Sequence, residues 1–190
     1  MKEIVTNLDR LREIALDQYG YVTMTQALEA GLSHQVVATM LNRGRLQKVA
    51  HGVYRVPQMP ITQYDRYMLA VLWTGATEAC LSHETALESY DVCDIFPAKI
   101  HVAVAKGRRI KRAGGEGYVL HKVDIESKCR GWWEGIPVVK LPLALEQCID
   151  SGVQSYLIRQ AFERAEGPGL LSYEDAQRLM DRLERRSSAE

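Results

Sequence analysis

The stretch Gly31–Val56 constrains the fold more than any other part of the chain. Apolar residues recur at helical spacing in its first half, at Leu32, Val37, Met40 and Leu41. Ser33 stands at the N-cap position, and Gly44 stands where a helix-ending glycine is expected. The second half places apolar residues on both sides of an Ala50-His51-Gly52 turn, which predicts a short hairpin. A helix followed at once by a hairpin is typical of the second half of a winged helix-turn-helix.

The residues before Gly31 supply the rest of that motif. Met1–Tyr19 has the apolar spacing of an amphipathic helix, Tyr21-Val22 is short and extended, and Thr25–Ala30 predicts a second helix. Gly31 permits the sharp turn between the second and third helices. We therefore predict a winged helix-turn-helix domain over residues 1–57.

Two prolines, Pro57 and Pro60, predict a domain boundary, and residues 61–186 are assigned to a second domain. Its patterns predict helices and strands in irregular order: helices over Thr62–Thr74, Ser82–Tyr90, Leu143–Ile149, Ser155–Ala165 and Ser172–Arg185, and strands over Ile100–Val104, Gly117–Val123 and Ile136–Val139. Strands framed by helices, without regular βαβ alternation, predict an α+β domain with a small, mostly antiparallel sheet. The glycine-rich segment 106–117 is interpreted as a hairpin loop.

The charge is balanced overall but not locally. The chain has 24 Lys and Arg residues against 24 Asp and Glu residues, so its total charge indicates no polyanionic partner. Gly31–Val56 nevertheless contains Arg43, Arg45, Lys48 and Arg55 and no acidic residue. Local positive charge of this kind is typical of a nucleic-acid-binding face.

A winged helix would read DNA through the outward face of its third helix and anchor itself through its wing. The candidates for base-edge contact are Ser33, His34, Gln35, Thr39, Asn42 and Arg43. The candidates for phosphate contact are Arg45, Lys48, His51 and Arg55. Gln pairs well with adenine and Arg with guanine, whereas phosphate contacts position the protein without reading sequence. A winged helix used only to dock a protein partner is the alternative.

A second basic group lies between two predicted strands and consists of Lys106, Arg108, Arg109, Lys111 and Arg112. A solvated loop explains it without any ligand. Additional phosphate contact, or docking to an RNA or an acidic protein, are the functional alternatives.

Enzymatic chemistry finds little support in the residues. Glu126-Ser127-Lys128 is similar to part of a nuclease metal site, but the preceding strand Ile100–Val104 offers no second carboxylate. His83-Glu84 is a second candidate, as a general base or metal ligand, but without a second His at helical spacing we interpret His83 as a buried, hydrogen-bonded histidine. We predict no catalytic residue, cofactor or metal, and retain a nuclease brought to DNA by its winged helix as the alternative.

The remaining signals concern the compartment. The cysteines Cys80, Cys93, Cys129 and Cys148 are widely spaced and are expected to be free thiols in a reducing cytoplasm. The charged N-terminal residues do not form a signal peptide, and no apolar run is long enough to span a membrane. We therefore expect a cytoplasmic protein without a membrane partner.

Taken together, three motifs resemble a known family. Gly31–Val56 resembles the "G-[IL]-S…G-x-L…G-V-Y-R" signature of AbiEi-type antitoxins, Leu81–Leu87 is similar to their "L-S-H-x-[ST]-A-L", and Gly135–Val139 is similar to their "G-[IL]-P-V-T". The motifs occur in the family order between Leu8 and about Asp150. The polar residues that usually follow the third motif are replaced here by Val139–Glu146, which lacks the Thr and Arg.

The resemblance implies a transcriptional regulator and antitoxin of a type IV toxin–antitoxin or phage-abortive-infection module. Its winged helix would bind inverted repeats in the promoter of its own operon and repress it. Its second domain would counter a nucleotidyltransferase-like toxin encoded beside it, without a stable complex between the two proteins being required.

Overall fold

A computed structural model describes residues 6–166 and 169–188. The chain forms two compact units. The first runs to Ala79 and also includes Arg109–Gly115 and Glu134–Ile136, and the second contains the remaining residues. The predicted boundary between Pro57 and Ile61 stays a prediction.

The described part of the first unit contains four helices and a three-stranded sheet. Its elements are α1 (Asn7–Leu16), β1 (Tyr21–Thr23), α2 (Met24–Glu29), α3 (His34–Asn42), β2 (Gln47–Ala50), β3 (Val53–Arg55) and α4 (Asp65–Thr74). The strands are antiparallel in the order β1-β3-β2. Because helices, strands and wing follow one another in the predicted order, the winged helix-turn-helix is confirmed. The predicted start of the first helix, Met1–Val5, lies outside the described residues.

Caps and apolar faces explain why these helices form where they do. Thr6 and Asp9 form a reciprocal capping box at the start of α1, and Thr23 and Gln26 form one at the start of α2. The buried faces of the helices meet over the sheet in one apolar core, which includes Leu11, Ala15, Val22, Ala27, Val37, Met40 and Tyr54. This core fixes which face of α3 remains exposed.

The second unit is a five-stranded sheet with helices. Its elements are β4 (Cys80–Leu81), α5 (His83–Tyr90), β5 (Ile100–Val104), β6 (Tyr118–Lys122), a 3₁₀ turn (Ser127–Cys129), β7 (Arg130–Trp133), β8 (Ile136–Val139), α6 (Leu141–Asp150), α7 (Ser155–Glu166) and α8 (Tyr173–Ser187). The strand order is β6-β5-β4-β8-β7. The predicted α+β class is confirmed.

The strand directions differ from the prediction. β5 and β6 are parallel, as are β4 and β8, whereas β4 and β5 are antiparallel, so the sheet is mixed where a mostly antiparallel one was predicted. The predicted hairpin over 106–117 is therefore wrong. A parallel pair needs a crossover connection, and Arg109–Gly115 of this connection belongs to the first unit.

Candidate nucleic-acid interface

The third helix of the winged helix presents a polar face. Ser33 caps α3, since its hydroxyl accepts a hydrogen bond from the Val36 amide at 3.3 Å. Val37 and Met40 are buried on the inner face. The six predicted base-edge candidates are exposed: Ser33, His34, Gln35, Thr39, Asn42 and Arg43. α3 ends at Asn42, followed by Gly44 with φ of 66°, as the sequence predicts.

The wing lies directly after this helix. β2 and β3 pair across a His51-Gly52 turn, with a register shift between Lys48 and Ala50. Three of the four predicted phosphate contacts, Arg45, Lys48 and His51, are exposed on or beside the wing. Within residues 6–166 and 169–188, the side chains of Arg43, Arg45 and Lys48 form no ion pair with an acidic group. No acidic group among the described residues therefore pairs with these three cations.

A cleft of about 480 Å³ runs between α3 and the start of α1. The cleft is lined by Gln35, Val36, Thr39 and Met40 of α3, by Arg43 and Arg45 after it, and by Thr6, Asn7 and Leu8 at the start of α1. Thr39 is held by its own helix, because its hydroxyl donates to the Gln35 carbonyl at 2.9 Å. The structure thus brings four of the predicted DNA-contacting residues, two of them arginines, to one depression with a mixed polar and apolar lining.

Arg55, the fourth predicted phosphate contact, is placed elsewhere. Its Nη1 lies 2.6 Å from Asp65 Oδ2, and the two side chains are only 11% and 9% exposed. The guanidinium also donates to the carbonyls of Tyr19, Met59 and Pro60. The prediction that Arg55 contacts a DNA phosphate is therefore corrected. Its guanidinium is bound by groups of the first unit.

The second predicted basic surface is divided between the two units. Lys106 and Arg108 belong to the second unit, whereas Arg109, Lys111 and Arg112 belong to the first. Arg112 is also removed from the candidate surface, because its Nη1 donates to the carbonyls of Trp73 at 2.8 Å and His51 at 3.2 Å. A cation at the C-terminal end of α4 is favourable for the helix dipole. Arg109 and Lys111 remain exposed.

The acidic residues behind the nuclease alternative are dispersed. Glu126 pairs with Lys128 at 2.8 Å, and the two side chains are 71% and 77% exposed. Asp124 accepts a hydrogen bond from the Lys106 amide at 3.1 Å. Over the described residues, neither carboxylate joins a group of three potential metal ligands.

Three histidines of the second unit meet in a group that the sequence analysis missed, which we call the histidine cluster: His83, His101 and His121. The rings of His83 and His121 are stacked with centroids 3.4 Å apart, and His101 Nδ1 lies 3.0 Å from His121 Nε2. His83 was predicted to be a buried, hydrogen-bonded histidine, and its Nδ1 indeed lies 3.0 Å from Ser82 Oγ. The sequence did contain one signal that could have pointed to this cluster: each of two apolar strands, β5 and β6, contains a single histidine.

Burial governs the ionisation of these groups. Burial lowers the pKa of His83 to about 3 and that of His121 to about 4, with the neighbouring imidazoles adding to both shifts. The cluster is therefore neutral near pH 7.

Burial also raises the pKa of the Cys80 and Cys93 thiols to about 11, and all four cysteines are free, as predicted.

The first unit therefore contains a winged helix-turn-helix whose third helix exposes a polar face. A family model described as "Transcriptional regulator, AbiEi antitoxin" matches residues 9–57. This match spans the winged helix from within α1 to the end of the wing. It confirms the resemblance predicted from the first motif, Gly31–Val56, whereas the other two motifs lie outside the matched residues.

The fold of nearly the whole chain resembles that of a solved structure with low sequence identity. The crystal structure of the RV2827C protein from Mycobacterium tuberculosis matches with a TM-score of 0.56 and 16% identity, over 96% of this chain and 75% of that one. At this identity the likeness shows the fold alone.

A search of curated proteins found no significant match. None of the helices in the described part of the chain has the length and apolar character to cross a membrane.

Proposed function

We propose that this protein is a DNA-binding autorepressor and antitoxin, whose winged helix binds inverted repeats in the promoter of its own operon. The observation that carries the proposal is the face formed by α3 and the wing, where Arg43, Arg45 and Lys48 are exposed and pair with no acidic group in the described part of the chain. Cations of this kind attract the phosphate backbone and make binding dependent on salt. The match of residues 9–57 to antitoxin regulators supports the same function.

The exposed side chains divide into two roles. Ser33, His34 and Gln35 stand at the N-terminal end of α3, the part of a recognition helix that meets base edges. Thr39, Asn42 and Arg43 continue this face, and Arg43 is suited to a bidentate contact with guanine. Arg45, Lys48 and His51 follow on the wing side, where they would hold phosphates.

Single substitutions should separate these roles. We expect Arg43→Ala to weaken operator binding by about 1–3 kcal/mol and to relax sequence preference at one position. We expect Lys48→Ala to weaken binding to all sequences alike and to reduce the slope of log affinity against log salt by about one. Fluorescence anisotropy with the upstream promoter, at several salt concentrations, measures both effects.

Arg159→Ala is the matched control, since it removes one exposed cation from α7 of the second unit. It should leave both the affinity and the salt slope unchanged. Promoter binding that is absent, or independent of salt, would contradict the proposal and favour a protein-docking winged helix.

The second unit would supply the antitoxin activity against a nucleotidyltransferase-like toxin. We expect Arg43→Ala in the full chain to lose repression of a promoter reporter while still protecting cells that express the neighbouring toxin. Growth and reporter output, measured in the same strains, test this separation. Loss of both activities at normal protein levels would contradict the division of labour. An adjacent reading frame without a nucleotidyltransferase-like product would remove the proposed toxin.

The nuclease alternative has its own test. Labelled DNA incubated with the protein and Mg²⁺ or Mn²⁺ should remain intact under the proposed function. Cleavage that is lost in Glu126→Ala would replace the antitoxin proposal with an enzymatic one.

A further inference from the structure

The histidine cluster joins residues that are far apart in sequence at one place in the second unit. We propose that His83, His101 and His121 form a binding site for a divalent transition-metal ion, with Zn²⁺ as the best match. The proposal is independent of DNA binding, because all three residues lie in the second unit and outside the candidate nucleic-acid interface.

The sheet register accounts for the convergence. In the parallel pair of β5 and β6, Ala103 is opposite His121, and His101 precedes Ala103 by two residues. Residues two apart on a strand point to the same face, so His101 and His121 share one face of the sheet. His83 follows β4, the strand on the other side of β5, and begins α5. Three neighbouring elements therefore each contribute one imidazole.

The spacing fits a tetrahedral ion. Zn–N bonds of about 2.0–2.1 Å at tetrahedral angles place ligand nitrogens roughly 3.3–3.4 Å apart. His101 Nδ1 and His121 Nε2 are 3.0 Å apart, and one ligand atom from each of the three residues lies within 4.8 Å of the other two. The rings of His83 and His121 are stacked, 15° from parallel with centroids 3.4 Å apart. Because an imidazole nitrogen binds a metal through a lone pair in the plane of its ring, metal binding requires the His83 ring to rotate out of this stack.

Surrounding groups orient two of the ligands. Ser82 is fully buried, and its hydroxyl lies 3.0 Å from His83 Nδ1, which leaves Nε2 of His83 for the metal. The backbone at His101 is held on both sides, because its amide donates to the Thr85 hydroxyl and its carbonyl accepts from the Ser82 amide. A hydrogen bond to the second ring nitrogen, such as that between Ser82 and His83, fixes the ring and its tautomer. The backbone bonds at His101 fix the position of that residue on β5.

The donor set selects the class of ion. Three imidazoles without a carboxylate suit Zn²⁺, Cu²⁺ or Ni²⁺ and are unsuited to Mg²⁺ or Ca²⁺, which prefer oxygen ligands. Three protein ligands leave a fourth position for water or another small ligand. The metal would cross-link the strand pair β5–β6 to the start of α5, and a metal-free histidine stack that only packs is the competing outcome.

Metal titration of the untagged full-length protein, first stripped with a chelator, tests the proposal. We expect one Zn²⁺ per chain by calorimetry, with Kd of roughly 1 μM or below. Co²⁺ should bind at the same site and give a visible absorption spectrum without a thiolate charge-transfer band. We expect His101→Gln and His121→Gln each to weaken binding at least about tenfold, as loss of a ligand should exceed the effect of losing an outer partner.

The chain provides its own control, because its two other histidines, His34 and His51, are exposed in the first unit. The double variant His34→Gln/His51→Gln should bind Zn²⁺ as tightly as wild type. Zn²⁺ should also raise the melting temperature of wild type and not that of His121→Gln. Failure of wild type to bind one ion, equal binding by His121→Gln, or a cobalt–thiolate band would each overturn the proposal. Circular dichroism verifies that the variants are folded. If a variant is unfolded, the wild-type titration still tests whether the protein binds one Zn²⁺ ion.

Discussion

Replacing Arg55 by Met should lower the free energy of unfolding of the first unit by about 3 kcal/mol. The substitution keeps a long apolar side chain but leaves the Asp65 carboxylate, which is almost fully buried, without its cation. It also leaves the carbonyls of Met59 and Pro60 without their donor. Breaking one half of a buried ion pair is costly because the remaining charge cannot be solvated. Denaturant dependence of hydrogen exchange in the β3 amides measures this loss within the first unit.

Two comparisons separate burial from charge. Arg12→Met removes an exposed ion pair with Asp9, at 3.7 Å, and should cost no more than about 0.5 kcal/mol. The double variant Arg55→Met/Asp65→Leu removes both charges and should recover much of the stability lost in the single variant. A cost below 1 kcal/mol for Arg55→Met would show that the pair is better solvated than its exposure indicates.

The same pair predicts a dependence on pH. Burial acts to raise the pKa of Asp65, but hydrogen bonds from Thr62 and Arg55 outweigh it and hold the pKa below its usual value of 3.8. A carboxyl group with a lowered pKa stabilises the fold above its unfolded pKa, and this contribution is lost as the pH falls toward its folded pKa. The difference between wild type and Arg55→Met should therefore shrink below pH 3.8.

Replacing Trp73 by Ala should destabilise the first unit by about 3–4 kcal/mol and release the segment Arg109–Gly115. The indole is buried, and its Nε1 donates to the Ala113 carbonyl at 2.9 Å. Gly115 packs so closely that a Cβ there would lie 2.6 Å from the ring. Loss of the ring removes both contacts, so trypsin should cleave after Arg109 and Lys111 faster than in wild type. Hydrogen exchange and timed proteolysis measure the two effects.

The chain offers matched controls for this change. Trp132 is 75% exposed, and Trp132→Ala should have almost no effect on stability. Trp73→Phe retains most of the apolar ring but loses the N–H donor, and should cost about 1–2 kcal/mol. Equal behaviour of Trp73→Ala and Trp132→Ala would contradict the anchoring of this segment.

Local signals were sufficient to predict the winged helix. Ser33 caps α3 and Gly44 follows its end, so the signals that bound this helix lie close to it in sequence. The turn of the wing likewise depends on a local residue, Gly52, which has a positive φ. The outward face of α3 follows from the same spacing, which is why all six base-edge candidates are exposed. Their contact with DNA stays a prediction.

Long-range pairing decided what the sequence could not show. The apolar alternation of β5 and β6 is the same for parallel and antiparallel pairing, so a glycine-rich connection was mistaken for a hairpin. Arg55 looked like a wing cation because nothing local reveals Asp65, ten residues later, as its partner. His83, His101 and His121 meet only once the order of β4, β5 and β6 is known.

The crossover between β5 and β6 has a consequence for synthesis on the ribosome. The first unit includes Arg109–Gly115 and Glu134–Ile136, so it cannot be completed when residue 79 has been made. Domains generally fold as units during translation, N-terminal first. Here the second unit's β4, α5 and β5 emerge before the first has all of its parts. The first unit should therefore mature only while the second is being made, and truncation after Ala79 would leave the first unit incomplete.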